Sequence, residues 1–274
     1  MCIDEYYIGC IASVERFSGI YTDVREVPTF GINPFDTQEW IDTNRANMLY
    51  MKKTIKQIQI PEHYFFTVIP VIKSKLLENG HVNIIDFGGG NGENYIQIVR
   101  FLGMENIEYH VIEQKRNCKA GIELQLSGNI SFHENNQSGL ECINKESKEI
   151  LKKSDICLII GTLQYFPEYM KLLIEIAESG VEYIFITRTI INSISDTYYT
   201  RQYIASNHGQ YKDIIVGDIP VAVINHQELN KCMCNLGYHV CLDLFQTNYS
   251  NNFSNFPKPY CEVEYRDILY QINK

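Results

Sequence analysis

The chain of 274 residues changes character near residue 80. Before that point, apolar and aromatic positions recur at helical spacing. After it, short apolar runs alternate with helical stretches. In the first part, Phe17 to Tyr21 leads into a loop that carries Pro28, Gly31 and Pro34. Asp36 with Glu39 has the spacing of a capping box, so a helix is expected from about Thr37 to Gln57. Pro61 suits the first position of a second helix running to about Glu78, with Pro70 set to kink it and Asn79-Gly80 to end it.

In the second part the expected strands are Val82 to Phe87, Ile107 to Ile112 with Glu113 at its end, Asn129 to Phe132, Asp155 to Ile160, Tyr183 to Thr187, Tyr238 to Phe245 and Arg266 to Ile272. Helices are expected at Glu93 to Leu102, stopped by Gly103, at Lys115 to Leu126, and from Pro167 to about Ser179. A fourth is capped by Asn225 with Glu228, runs to Leu236 and closes on Gly237. Strands spaced by helices imply right-handed crossovers and a doubly wound sheet. The last two strands lack a helix between them and imply an antiparallel hairpin at one edge. The expected architecture is therefore α/β, a seven-stranded, mostly parallel, Rossmann-like sheet over 81–274, with a helical cap over 1–80. About 80 residues with proline-broken helices make a poor core of their own.

The sharpest local feature is Asn83-Ile84-Ile85-Asp86-Phe87-Gly88-Gly89-Gly90-Asn91-Gly92-Glu93, a glycine turn between a strand and a helix. Glycines let the backbone turn tightly and approach a ligand closely, and the helix start offers free N–H groups. A dinucleotide fingerprint is G-x-G-x-x-G. From Gly88 the third glycine is replaced by Glu93, and from Gly90 by Tyr95. The observed D-x-G-x-G-x-G is the variant suited to S-adenosyl-L-methionine (SAM). Asp86 near the strand end faces a cationic ligand well and a pyrophosphate badly. Glu113, 21 residues after Gly92, is placed to accept hydrogen bonds from ribose hydroxyls, a device shared by SAM and NAD sites. Seven strands with a final antiparallel hairpin are the layout of class I SAM-dependent methyltransferases, whereas a dehydrogenase more often gives six strands in two similar halves.

Composition narrows the partners. With 33 acidic against 24 basic residues the net charge is −9, which argues against a nucleic-acid backbone as partner. The nine cysteines are scattered, and the only close pair is Cys232-x-Cys234 inside an expected helix. That spacing does not make a zinc site, so no metal is expected, and the cysteines read as small apolar residues of a reduced cytoplasmic protein. Met1 to Ile20 lacks a basic n-region and a long apolar run, so it does not read as a signal peptide. No run of about 18 uncharged apolar residues occurs, so no membrane span is expected.

The residues also resemble a known family, a set of class I SAM-dependent methyltransferases found among bacterial surface-polysaccharide genes. The similar elements are Phe17-x-Gly19-x-Tyr21, Trp40, Ile84 to Gly90, Val111-Ile112-Glu113-Gln114, Gly161-Thr162-Leu163-Gln164-Tyr165-Phe166-Pro167, Arg188-Thr189 and Tyr265-Arg266-Asp267-Ile268-Leu269. The likeness thins over 190–220 and 247–262. It implies fold and cofactor more firmly than substrate. It implies that Asp86, Gly88, Gly89, Gly90, Gly92 and Glu113 bind SAM, that Glu134 and Asn135 (with Asn136 beside them) lie at the adenine, and that Gly161 and Gln164 border cofactor and acceptor. The competing readings are a solvated polar loop at 134–136 and a helix-entry loop in which Tyr165 and Phe166 simply pack.

Methyl transfer aligns nucleophile, methyl and sulfur, and a hydroxyl acceptor gains from a general base. Of the seven histidines only His208 lies in a long polar loop after a sheet strand, with Asp196 as its rival. Residues 189–224 exceed an ordinary loop of about 2–6 residues, carry buriable Tyr198, Tyr199, Tyr203, Ile204, Ile214, Ile215 and Val216, and start at a carboxyl strand end. They are expected to form an acceptor wall or lid, with Asp196, Arg201 and His208 able to orient or deprotonate. Tyr198, Tyr199, Tyr203 and Tyr211 would suit a sugar ring, or simply pack. No G-x-S-x-G elbow, Walker A or [DN]-P-P-[YF] signature occurs. The expected partner is a small-molecule or glycan acceptor. The rival classes are a non-catalytic SAM-fold module that binds a partner through the N-terminal helices, and an NAD-linked oxidoreductase.

Overall fold

The computed structural model describes residues 16–31, 33–55, 62–135, 142–205, 215–246 and 253–273, with the backbone alone at 216. Its centre is a mixed, mostly parallel, Rossmann-like sheet. All seven expected strands are present: β2 (Val82–Phe87), β3 (Ile107–Glu113), β4 (Asn129–Glu134), β5 (Ile156–Ile160), β6 (Tyr183–Asn192), β9 (Tyr238–Gln246) and β10 (Val263–Ile272). They run β4-β3-β2-β5-β6-β10-β9, with β10 antiparallel to both its neighbours. The final hairpin thus inserts its second strand next to β6.

The sheet has ten strands, not seven. The three further ones are β1 (Phe17–Tyr21), β7 (Tyr198–Ala205) and β8 (Ile215–Asn225), which form an antiparallel ribbon in the order β1-β7-β8. The stretch expected as a long loop is therefore largely a pair of strands. β5 ends at Ile160, level with Thr187, and β8 then pairs with β6 at Ile191 and Asn192. The longer β6 thus carries the ribbon above the parallel part of the sheet.

Helices cover both faces, as a doubly wound sheet requires. On one face lie α1 (Gln38–Lys53), α2 (Phe65–Asn79), α3 (Glu93–Leu102) and α4 (Lys115–Glu123), closing a core that includes Val68, Ile72, Ile84, Ile96, Val111 and Leu158. On the other lie α5 (Lys145–Leu151), α6 (Tyr169–Ala177) and α7 (His226–Asn235), over Ile85, Ile159, Leu172, Ile186 and Leu229. β5 is buried along its whole length, which is why it reads as an unbroken apolar run.

Helix ends refine the expected boundaries. The cap of α1 is Thr37, whose hydroxyl accepts the Trp40 N–H at 3.3 Å; Asp36 instead closes a 3-10 turn over Pro34–Asp36. α2 starts at Phe65, later than expected, and Pro61 lies outside the described residues. It contains Pro70 and ends on left-handed Gly80, whose N–H donates to the Leu76 carbonyl. α4 stops at Glu123, short of Leu126, and α6 starts at Tyr169, two residues after Pro167. α5 was not anticipated; its cap is Asn144, which accepts the Ser147 N–H at 2.9 Å. Asn225 caps α7 through the Glu228 N–H at 2.9 Å, as its sequence spacing implies. Cys118, Cys142 and Cys157 are free and buried. No described helix is long and apolar enough to cross a membrane.

Candidate functional site

The carboxyl ends of β2, β3, β5 and β6 share one edge of the sheet, and the glycine turn rises from it. Asp86 is fully buried there. Its Oδ2 accepts from the Tyr109 hydroxyl at 2.7 Å and the Asn94 amide at 3.0 Å, and its Oδ1 is buried with no hydrogen-bond partner. Burial pushes its carboxyl up to about 6 against those two hydrogen bonds, with the charges of Glu113 and Glu93 adding to the rise.

Gly88, Gly90 and Gly92 all have left-handed φ, at 75°, 57° and 88°. Gly88 donates its N–H to the Ile112 carbonyl at 2.8 Å, and Gly92 donates to that of Gly89 at 3.1 Å. Gly89 is closed in by the Asp86 carboxylate, which an added Cβ would strike. Space stays open on the side of Gly90, where an added Cβ would meet nothing within 4 Å. α3 begins at Gly92 with no side-chain cap, so its first N–H groups lack the usual local acceptor. Asn91 is only 5% exposed, and neither of its amide atoms has a partner. A buried polar group left unsatisfied calls for an explanation, and a ligand at the turn supplies one.

Glu113 is partly buried at the end of β3. Its Oε2 accepts the Gly90 N–H at 3.2 Å and its Oε1 the Gln114 N–H at 2.6 Å. Burial raises its pKa, and those bonds and one from Asn117 oppose the rise. Glu134 faces it in register on β4, also partly buried, with Lys115 Nζ at 3.9 Å. Asn135 follows. Its N–H donates to the Glu113 carbonyl at 2.9 Å, its amide donates to the Cys142 carbonyl at 2.9 Å, and its Oδ1 accepts the Asn144 N–H at 3.2 Å. The Asn135 side chain thus ties down residues 142–144. Asn136 lies outside the described residues.

Across the edge, Gly161 (φ 67°) donates its N–H to the Thr187 carbonyl at 2.8 Å. Gln164, 5% exposed, donates its amide to the Gly161 carbonyl at 3.0 Å and to that of Arg188 at 3.4 Å, and its Oε1 is buried with no partner. Tyr165 beside it has its phenol pKa raised by burial, opposed by hydrogen bonds with Gln164 and Gln202.

One wall of the site was not assigned from sequence. Arg188 has a left-handed φ of 54°, at a bulge where the β6–β10 register slips between Arg266 and Ile268. Its guanidinium stands 5.9 Å from the Tyr64 ring centre and lowers the Glu93 carboxyl, whose pKa desolvation otherwise raises. Opposite, Asp267 is buried and accepts from the Thr187 hydroxyl and the Gln246 amide. Burial raises its pKa against those bonds and the nearby His63. The signal in the chain was an Asp just before the apolar residues Ile268 to Tyr270 of the last strand. Its burial, however, depends on the bulge.

The segment around residues 33–40 spans the site. Arg116, three residues after Glu113, donates to the Asp36 carbonyl at 2.7 Å and faces its carboxylate at 3.4 Å. Phe35 meets Tyr165 edge-on at 4.9 Å and Trp40 at 5.0 Å. Farther along, Phe30 donates its N–H to Asp218 at 2.9 Å, and Arg201 pairs with Asp218 while lying 4.1 Å from the Phe30 ring and 4.7 Å from that of Tyr203. Arg201 therefore pins the N-terminal segment to the β7–β8 pair. Asp196 is exposed in the turn after β6, beyond the level of Gly161. That turn is held by Asn225, which donates to the Ser195 carbonyl at 2.7 Å. His208 lies outside the described residues. Among the described residues no group of three or more His, Cys, Asp or Glu could hold a metal.

No protein-family model matches the chain, and no curated protein sequence does. Among solved structures it is similar to a 1,6-didemethyltoxoflavin-N1-methyltransferase of Burkholderia thailandensis crystallised with S-adenosylhomocysteine (10% identity, TM-score 0.47, covering 90% of this chain and 94% of that one). It is also similar to a SAM-dependent methyltransferase of Clostridium acetobutylicum (12%, 0.47, 84% and 99%) and to the [4+2]-cyclase SpnF (10%, 0.47, 75% and 80%). These likenesses are too distant to assign an activity.

Proposed function

We propose that the chain is a SAM-dependent methyltransferase that O-methylates a small molecule or glycan, and, following the family resemblance, that it serves bacterial surface-polysaccharide synthesis. The observation that carries this is the strand–turn–helix at 82–102. Three left-handed glycines, a buried Asp86 beneath the turn and Glu113 at the next strand end surround an open side at Gly90. The missing third glycine disfavours a dinucleotide.

The orphaned Asn91 amide and the uncapped start of α3 fit a ligand with a carboxylate and donor groups. Asp86, Gly88, Gly89, Gly90, Gly92, Glu113, Glu134, Asn135, Gly161 and Gln164 are the proposed holders. When bound, SAM supplies a methyl group on a sulfonium. The chain's part is to orient the acceptor and exclude water. Gln164, fixed through its amide nitrogen, keeps a buried side-chain oxygen without a partner, and Arg188 brings positive charge to the same edge. The strap at 33–40 acts as a cap and the β7–β8 pair as the acceptor wall. Asp196 or His208 takes the acceptor's hydroxyl proton.

The test is a thermal-shift series with S-adenosylhomocysteine, NAD and NADP. A ligand at 100 times its Kd adds about 2.7 kcal/mol. Stabilisation by S-adenosylhomocysteine alone is expected, and stabilisation by a dinucleotide instead would overturn the proposal.

A further inference from the structure

Where the β1-β7-β8 ribbon meets the carboxyl edge of the sheet, two glutamines bracket one phenol. Gln164 is 5% exposed, and its amide nitrogen donates to the Gly161 carbonyl at 3.0 Å and the Arg188 carbonyl at 3.4 Å. Those two carbonyls fix which end of the side chain is nitrogen, so the buried Oε1 is an acceptor with no hydrogen-bond partner. Gln202 comes from the other side, on β7, level with Phe17 of β1 and Ile219 of β8. Its Oε1 is likewise buried with no hydrogen-bond partner. Both side chains hydrogen-bond the Tyr165 phenol. Two amides that share one phenol oxygen lie within about 6 Å of each other, or two hydrogen-bond lengths. Reversing the Gln202 amide would only exchange an orphaned oxygen for an orphaned nitrogen.

Buried polar atoms in native proteins are nearly always satisfied, so these two amides call for a partner. An ionised carboxylate or phosphate brings only further acceptors and does not serve an amide oxygen. Arg188, whose positive charge reaches both Glu93 and the Tyr165 phenol, disfavours an ammonium donor at this edge. A neutral hydroxyl fits: it donates to an amide oxygen and also accepts from an amide nitrogen, so it serves Gln202 in either orientation. The neighbouring rings narrow the choice. Phe35 meets Tyr165 edge-on at 4.9 Å and Trp40 at 5.0 Å, and both of these strap rings are only partly buried. Aromatic faces beside a few fixed hydroxyl-binding groups suit a ligand with a polar rim and C–H faces. A pyranose ring has that make-up.

We propose, resting on the methyltransferase reading, that Gln164, Gln202 and Tyr165 bind neighbouring hydroxyls of a neutral pyranose, the ring that accepts the methyl group. The experiment uses the full chain loaded with S-adenosylhomocysteine. Saturation-transfer NMR measures binding of the methyl glycosides of glucose, mannose, galactose and rhamnose, with cyclohexylamine and cyclohexanecarboxylate as rings of similar size and opposite charge. At least one glycoside is expected to bind about tenfold tighter than either comparison ring. Gln202→Met, close in shape and without the amide, should weaken that binding about tenfold and leave S-adenosylhomocysteine affinity unchanged. Gln202→Glu, which keeps an acceptor oxygen, should retain most of it. Deoxy glycosides tested on the unaltered chain need no variant: removal of a contacted hydroxyl should cost about tenfold, and Gln202→Met should add nothing to the loss of the hydroxyl it serves. Absence of S-adenosylhomocysteine binding would overturn the methyltransferase reading and this proposal with it. With S-adenosylhomocysteine bound, the proposal alone is overturned if no glycoside binds, if a charged ring binds as well, or if Gln202→Met and the deoxy glycosides leave affinity unchanged.

Discussion

Gly89 and Asp86 are in such close contact that a Cβ on Gly89 would stand 2.2 Å from the Asp86 carboxylate oxygen. Neither can yield, because Asp86 is fully buried and held by Tyr109 and Asn94. Gly89→Ala is therefore expected to distort the turn. It should destabilise the fold by about 1–3 kcal/mol, the scale of overpacking, and abolish S-adenosylhomocysteine binding. Denaturant unfolding and calorimetry on the variant check both, and an unchanged binding isotherm would show that the turn does not contact the ligand.

The buried Asp86 carboxyl lies at about 6, above its ordinary 3.8. Between those values the folded state holds a proton that the unfolded state has released. Stability contributed by this group is thus present at low pH and lost as pH rises from about 4 to 6. The loss is roughly 3 kcal/mol, at ~1.4 kcal/mol per pKa unit. Asp86→Asn should remove this downward component from the stability–pH curve. A variant whose curve keeps the wild-type slope between pH 4 and 6 would place the titration elsewhere.

Glu113 links the Gly90 and Gln114 N–H groups and is the proposed ribose anchor. Glu113→Ala should weaken S-adenosylhomocysteine binding by roughly 1.5–3 kcal/mol, the scale of hydrogen bonds to a charged group. Calorimetry that finds equal affinity removes Glu113 from the site.

Phe35 joins Trp40 to Tyr165 by two edge-on ring contacts. Each such pair is worth about 0.5–1.5 kcal/mol beyond burial. Phe35→Ala should loosen the strap, with S-adenosylhomocysteine leaving several-fold faster and only a modest fall in Tm. Stopped-flow release rates equal to wild type would separate the strap from the mouth of the site.

Replacing Asp196 and His208 together by Ala should lower turnover while S-adenosylhomocysteine affinity holds. Loss of both would point to a structural role. Loss of neither would put the acceptor's proton elsewhere, with Asp267 and His63 the next groups to replace.

The seven core strands and the glycine turn were readable because their cause is local. β5 and the buried part of β6 must be apolar on both faces, and a turn with left-handed backbone selects glycine at Gly88, Gly90 and Gly92. The Asn225 cap and the Gly80 stop were readable for the same reason. β7 was not, because Arg201, Gln202 and Tyr203 break its apolar alternation. It is a strand by virtue of pairing with β1 and β8, so that Thr200, for example, donates to the Ser18 carbonyl 182 residues away. The helical caps, the apolar strands and the residue types of the cofactor turn were set by the sequence alone, since short-range sterics and burial decide them. Tertiary structure alone decided that Arg188 turns left-handed against a buried Asp267, that Phe35 reaches Tyr165, and that His110 meets His133. Each of those contacts joins residues remote in the chain, and their energy exists only once the sheet has brought them together.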